Sequence, residues 1–557
     1  MHDAWQFELK SHPDRALVQS ALTAIRAGAQ IGFTGDRAKS QRCANLQSAI
    51  DNPSSITSDI AKEITKGRIA GPFTAPPTSN ILFSPVGAVA KKDVDEYRRI
   101  HHLSWPRHTG TSVNASITDI DLRYATFDDA IRMARRLGKG TLFAKLDVKS
   151  AFRCIAVHPT DRHLLGIEWM GQFFIDLCLP FGLKSSPAIW ERFAALAEWI
   201  ATNRYGIRDI VHYVDDYLVA GHANTNECKS AIDQLCAIFA RLGIPINADK
   251  FKAEGTPSTI IRFLGICIDS IKQISFLDSD RLLAIRTTLS EWSSRTSCNA
   301  TELQSLIGTL AFASRVVQSG RPFLRRMIDT LKQPRDARAV VPVVGSAIAN
   351  HKSAHKRHRS RSCRIHLTSE FHSDLRWWSS FINDWNGLSI WYDDIWTDSS
   401  TLQLSTDSNR VGFGAACGSS WFYGRWDKQQ LAAADRVHTV SVPYLELYAL
   451  VLSASTWGHL WCGKRITFLC DCKPIVDTLQ HSTTRNQHLM SLVRCLHYIA
   501  YQHSFTFRCT HLSSRANAVA DALSRIQGQE DVQRFISSNP TLDRLPTPPL
   551  PLPIHNW

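Results

Sequence analysis

None of the fourteen cysteines of this 557-residue chain belongs to a CxxC pair. The closest two, Cys470 and Cys472, are too tight for a zinc knuckle and have no histidine at ligand spacing. Scattered thiols, with no apolar stretch in the opening MHDAWQFELKSHPD, read as those of an intracellular protein in a reducing compartment, cytoplasm or nucleus. Long apolar runs are also lacking. The best, around Val340 to Ala349, is broken by Pro342 and Gly345, which argues against a membrane span. Acidic residues are in deficit: 50 Asp and Glu against 64 Lys and Arg leave a net charge of +14 and point to a polyanionic partner such as nucleic acid. What is present is ample core material. Hydrophobic residues make up 44% and charged residues 20%, which excludes global disorder, and the length suits three or four compact units.

The pattern along the chain predicts an α+β multidomain protein. Residues 1–80 read as an N-terminal extension of helix and loop, closing in GPFTAPPTSN. Over 81–270, short β-rich runs alternate with amphipathic helices. Over 271–332, Leu303, Leu306, Leu310 and Phe312, then Leu324, Met327 and Leu331, recur near helical spacing. Residues 333–395 read as a linker or connection. It carries a basic stretch, Lys352, Lys356, Arg357, Arg359, Arg361 and Arg364, which suits nuclear import, a phosphate contact or a solvated linker. A second α+β region spans 396–528, and 529–557 is a tail whose PTPPLPLPIHNW is proline-rich and extended.

Two apolar strands carry acids. Leu142 to Leu146 runs into Asp147, and in IVHYVDDYLVAG two apolar runs flank Asp215 and Asp216 as a hairpin with the acids at its tip. An Asp-Asp turn alone is unremarkable; its company with a third strand-end acid is not. Clustered carboxylates repel and raise one another's pKa, so they converge where a cation is to be held. Nucleotidyl transfer needs two Mg²⁺ ions about 3.5–4 Å apart, and Mg²⁺ prefers carboxylate oxygens. Between the strands, LPFGLKSSPAIWERFAALAEWI offers a Gly182 turn able to approach a nucleotide, the positive charge of Lys184, and a helix capped by Ser186. Upstream, SPVGAVAKKDVDEYRRIHHLSWP is hairpin-like, and its Lys91, Lys92, Arg98 and Arg99 suit either a solvated face or a triphosphate clamp.

Four further acids follow in the C-terminal region. Asp407 ends a strand in LQLSTDSNRVGFGAAC, Glu446 lies one turn into a helix opened by Pro443, Asp471 ends the strand of RITFLCDC, and Asp521 sits on a short helix after His511. Each alone reads as a surface or cap residue. Together they suit a two-metal cage for phosphodiester hydrolysis.

LDVKSAF, LPFGLKSSP and YVDD, in this order, resemble the palm motifs of reverse transcriptases, with LGIPINADKF and IRFLGICID resembling the next motif and the primer-grip hairpin. The resemblance implies a right-hand polymerase of fingers, palm and thumb followed by a ribonuclease H-like domain. Asp147, Asp215 and the Val148 position would then hold the metals, with Asp216 in support. Phe152 would exclude the ribose 2′-hydroxyl, Lys91 (or Lys92) and Arg98 would grip the triphosphate, and Lys250 would protonate pyrophosphate. Phe181 stands where retroviral enzymes carry Gln, a departure shared by many retrotransposon enzymes. The second set resembles retroelement ribonuclease H: Asp407, Glu446, Asp471 and Asp521 as the tetrad, with His511 assisting product release. Connecting phrases such as RIHHLSWPRHTGTSVNASI and SDLRWWSSFINDWNG resemble DIRS-type, tyrosine-recombinase retrotransposons. The resemblance implies two Mg²⁺ (or Mn²⁺) per centre, an RNA template, a DNA primer, dNTPs and an RNA–DNA hybrid as partners, and a recombinase of the same element. Two rivals are an RNA-copying RNA polymerase and a non-catalytic RNA scaffold. Phe152 and the second acidic set disfavour the first, and the complete set of seven carboxylates disfavours the second.

Overall fold

The structure, a computed structural model, describes residues 1–90, 97–107, 111–332, 364–385, 387–392, 395–402, 404–435, 441–484, 486–512 and 517–546. Lys91, Lys92 and the basic stretch up to Arg361 lie outside the described residues. The chain forms two compact units, Met1–Lys272 and Gln273–Trp557.

The first unit is built around a three-stranded antiparallel sheet in which β8 (Asp216–Gly221) lies between β4 (Leu142–Asp147) and β7 (Ile210–Tyr213). Six pairs fix the β4–β8 register, from Leu142 opposite Gly221 to Asp147 opposite Asp216. Helices α6 (Ser186–Tyr205) and α7 (Glu227–Leu242) pack on this sheet. The core joins Trp190, Phe193 and Leu196 of α6 to Tyr217, Val219 and Phe239. Ser185 rather than Ser186 caps α6, and Pro187 occupies its first turn, where a missing N–H costs nothing.

The same core takes in Trp5, Leu9, Val18, Leu22 and Ile31, and the Trp5 indole donates to the Leu242 carbonyl at 2.9 Å. Residues 1–80 are therefore an integral part of this unit rather than an extension of it. Their helix α4 (Pro53–Thr65) buries Ile56 and Ile60 against β1 (Ile69–Phe73), which pairs with β6 (Gln172–Asp176). Two hairpins complete the unit: β2 (Val86–Ala90) with β3 (Tyr97–His101), and β9 (Ile260–Phe263) with β10 (Ile266–Asp269).

In the second unit, helices Ser279–Ser293, Ala300–Ala313 and Arg325–Lys332 bury Leu303, Leu306, Leu310 and Met327. Phe312 stays partly exposed, with the guanidinium of Arg281 4.4 Å from its ring centre. The expected connection holds a 16-residue helix, Ser369–Asp384, whose Phe371, Trp378 and Phe381 are buried. Strands Ser405–Ser408, Gly412–Cys417 and Ser420–Arg425 form an antiparallel meander, while Arg465–Cys470 and Thr506–His511 run parallel. Helix Ser441–Trp457 is apolar on every side and buried from Tyr444 to Leu452. The start of the tail is ordered: helix Gln529–Ser538 docks Val532 and Phe535 onto Trp421, because those two residues share one face. Residues 547–557 lie outside the described residues. No described helix is long and apolar enough to cross a membrane.

Candidate active sites

The β4–β8 register sets Asp147 opposite Asp216, and the β7–β8 turn presents Asp215. Val214 in that turn has φ +57°, a left-handed conformation that a β-branched residue rarely adopts. Two contacts hold it there. The Trp190 indole of α6 donates to the Val214 carbonyl at 2.7 Å, and the Val148 N–H donates to the Asp215 carbonyl at 2.8 Å. Asp147, only 4% exposed, accepts from the Asn247 amide at 3.0 Å and contacts Lys250 Nζ at 2.5 Å, both from the segment that opens helix α8 (Ala248–Glu254). Partial burial alone would lower Lys250, but the hydrogen bond to Asp147 together with the charges of Asp147, Asp216 and Asp215 outweighs it and raises the ammonium. Burial, and then the neighbouring Asp147, raises Asp215 above the ordinary carboxylate range.

Asp216 has a different partner. Its Oδ1 lies 3.8 Å from Lys145 Nζ, which also pairs with Glu254 at 2.9 Å, and burial pushes Asp216 up to about 6 despite that lysine.

Asp147, Val148 and Asp215 line a cleft of about 870 Å³ together with Arg98, Phe152, Phe181 and Lys250. The Phe152 and Phe181 ring centres are 5.4 Å apart, and the Arg98 guanidinium lies 5.5 Å from the Phe181 centre. One expectation is corrected here. Lys184 does not line this cleft; its ammonium is held by the Ile117 carbonyl at 2.8 Å and Asp119 at 2.7 Å. Gly182 is required by a close backbone approach: at φ +106° a Cβ there would come within 2.1 Å of the His101 carbonyl oxygen. Sequence reading missed Asn247, Lys145 and Trp190, whose partners lie far away in the chain.

The second acidic set also converges. The Ser408 N–H reaches Glu446 Oε1 at 3.3 Å, the Ser524 hydroxyl donates to Asp407 at 2.5 Å, and ligand atoms of Glu446, Cys470 and Asp471 lie within 4.8 Å of one another. Helix Ala518–Ser524 brings Asp521 in by packing Leu523 against Gly414, where a Cβ would approach Leu523 Cβ to 2.2 Å. Burial, followed by Asp407, Cys470 and Asp471, pushes Glu446 up to about 9; burial likewise pushes Asp407 up to about 6. Arg525 pairs with Asp521 at 2.7 Å. His511 is exposed at the end of its strand. Ser524 and Cys470 were not foreseen; the three-residue offset from Asp521 to Ser524 on one helix was the available signal. Oxygen-rich donor sets with acids raised by burial, and then by one another, fit hard divalent cations at both places.

Among known proteins, the Gag-Pol polyprotein of Gibbon ape leukemia virus is 28% identical over 177 residues, covering 30% of this chain and 10% of the relative. The transposon Tf2-3 polyprotein of Schizosaccharomyces pombe is 21% identical over 409 residues, covering 71% of this chain and 26% of the relative. The chain thus spans no more than about a quarter of the length of these relatives. A solved foamy viral protease-reverse transcriptase in complex with RNA/DNA hybrid covers 91% of this chain and 62% of its own, at 13% identity and a TM-score of 0.47. The stretch that carries Arg98, Asp147, Phe152, Phe181, Asp215, Asp216 and Lys250 falls within residues 89–268, and those residues match the family described as "Reverse transcriptase (RNA-dependent DNA polymerase)".

Proposed function

We propose that this chain is an RNA-directed DNA polymerase with an attached ribonuclease H, from a DIRS-type retrotransposon, acting in the cytoplasm or nucleus. One observation carries the polymerase reading: Asp147 and Asp215 face a single cleft walled by the contiguous Arg98, Phe181 and Phe152. Asp147, Asp215 and the Val148 carbonyl would hold Mg²⁺ or Mn²⁺ in the first centre, and Asp407, Glu446, Asp471 and Asp521 in the second. Two ions per centre supply Lewis acidity for the attacking and departing oxygens.

The chain's own residues do the rest. Arg98 pairs with the triphosphate of a dNTP in bidentate fashion. Phe152 crowds the 2′ position, so a ribonucleotide is rejected by sterics. Lys250, charged and beside Asp147, donates a proton to the leaving pyrophosphate. Asp216 steadies the hairpin through Lys145. Glu446, buried among acids, completes the hydrolytic cage for the RNA strand of the hybrid, and His511 assists product release. The partners are an RNA template, a DNA primer and the hybrid they form, with a recombinase of the same element.

Primer extension on an RNA template with dNTPs or rNTPs tests this. Mg²⁺-dependent incorporation of dNTPs is expected, and Phe152→Val is expected to raise rNTP use relative to dNTP use by up to about a hundred-fold. Full incorporation by Asp215→Asn would overturn the reading.

A further inference from the structure

Arg153 follows Phe152 on the short turn Ala151–Cys154, and its side chain is buried. Its guanidinium makes four contacts, all to other segments. Nε lies 3.0 Å from Glu63 Oε2 on α4, and Nη1 lies 2.7 Å from Asp176 Oδ1 at the end of β6. Nη1 also donates to the Cys178 carbonyl at 3.0 Å, and Nη2 to the Arg68 carbonyl at 3.4 Å.

Asp176, fully buried, is approached from a third direction as well. Arg99 Nη1 lies 3.6 Å and His101 Nδ1 3.4 Å from its Oδ2, both from β3, and Arg99 is anchored in turn to Asp59 of α4 at 2.7 Å. Burial would raise Asp176, yet Arg153, and then Arg99, outweighs it and holds the carboxyl well below the usual range. The network therefore ties together the three segments that carry Arg98, Phe152 and Phe181 into the cleft: β3, the turn Ala151–Cys154, and the chain from Cys178 to Phe181.

A structural ion pair needs one partner. A planar fork that hydrogen-bonds one carboxylate and two carbonyls, with a second carboxylate at ion-pair distance, fixes direction as well as distance, a task a lysine performs poorly. Because Arg153 is the immediate neighbour of Phe152, a tilt of its fork moves the Phe152 backbone relative to Phe181. We infer that Arg153 is a positioning residue for sugar discrimination: anchored by Glu63 and Asp176, it sets where the Phe152 ring stands and acts through that ring rather than by contact with the nucleotide. The inference rests on the polymerase reading above.

The test is single-nucleotide incorporation of a dNTP and its rNTP by the wild type, Arg153→Lys, Glu63→Gln, Phe152→Ala and the double variant Arg153→Lys/Phe152→Ala, each checked by circular dichroism and thermal unfolding. Arg153→Lys keeps the charge and loses the fork, so the dNTP preference is expected to fall about ten-fold, largely through a lower KM for rNTP as the ring gives way. Glu63→Gln shifts the preference in the same direction by less. In the Phe152→Ala background the Arg153→Lys effect on the preference is expected to vanish, since the ring it positions is gone. A role in stability alone would lower kcat for both nucleotides together and leave their ratio fixed. An unchanged ratio in folded Arg153→Lys and Glu63→Gln overturns the inference, as does an undiminished effect in the Phe152→Ala background. Should Arg153→Lys fail to fold, the ratio in Glu63→Gln decides alone. A wild type that incorporates neither nucleotide defeats the polymerase reading instead.

Discussion

Lys250 sits on Asp147 in the first unit, whereas among the described residues no ion pair reaches Asp407 or Glu446 in the second. The first centre brings its own cations: Lys250 to Asp147, and Lys145 toward Asp216 and Glu254. The second has hydroxyl and backbone donors, from Ser524 and Ser408, and, among the described residues, one arginine that faces Asp521. A buried acid without a counterion keeps its proton, and Glu446 is accordingly pushed up to about 9. The contrast teaches that in one centre a lysine sits on an acid and must yield to an incoming cation, while in the other Glu446 has no such partner and gives up its proton when a cation arrives.

The sharpest way to break this comparison is to disable each centre alone. Asp215→Asn should lower primer extension by several orders of magnitude and leave hybrid cleavage intact; Glu446→Gln should do the reverse. Both activities measured on one preparation of each variant decide it, and loss of both by either variant ends the case for independent centres. Next in size, Lys250→Ala should slow extension by about a hundred-fold, the usual worth of a positioned proton donor. The same change should tighten Mg²⁺ binding in calorimetric titrations without nucleotide, because Asp147 is freed.

A smaller effect separates the centres by stability. In metal-free protein, raised Glu446 favours the folded state below about 4.5, its ordinary value, and that contribution is lost as pH rises toward 9. Glu446→Gln should therefore stabilise the metal-free protein at pH 8, on the order of 3 kcal/mol, with little change at pH 5. Added Mg²⁺ should raise the melting temperature of the wild type more than that of the variant.

The smallest effect concerns His212, clamped between Glu191 at 2.9 Å and Glu198. Burial lowers it, but the two glutamates outweigh burial and push it up to about 9. Its stabilisation is complete below about 6.5 and is lost as pH rises through 9, on the order of 1–2 kcal/mol. His212→Gln should flatten that part of the stability profile; an unchanged slope would show that the first unit's cations are not tied to its acids.

Local pattern was legible in the sequence wherever it was periodic or terminal. Strands closing at Asp147, one residue after Asp407 and just before Asp471 follow from alternation and from polar residues closing apolar runs. Side-chain partners separated by many residues leave no such trace. Trp190 to Val214, Lys145 to Glu254 and Arg153 to Glu63 became visible only with the fold. Lys184 was misjudged for a related reason: closeness in sequence to the Gly182 turn says nothing about the direction of its side chain, which turns to Asp119. The helix at Ser369–Asp384 was obscured by the aromatic and polar residues around it, whose tertiary packing outweighs weak local preference.

The six-pair register of β4 and β8 has a consequence for how the gene can change. Side chains alternate faces along a strand, so losing a single codon between 142 and 146 would turn Asp147 away from Asp215 while leaving every other residue's identity intact. Substitutions there can be absorbed one at a time; a change in length cannot. In the exposed turn at 222–226, which joins β8 to α7, the chain has slack to take up an added or missing residue. Among related gene copies that still direct synthesis, single-codon gaps should therefore gather in turns of that kind and be missing from the hairpin that carries the acids.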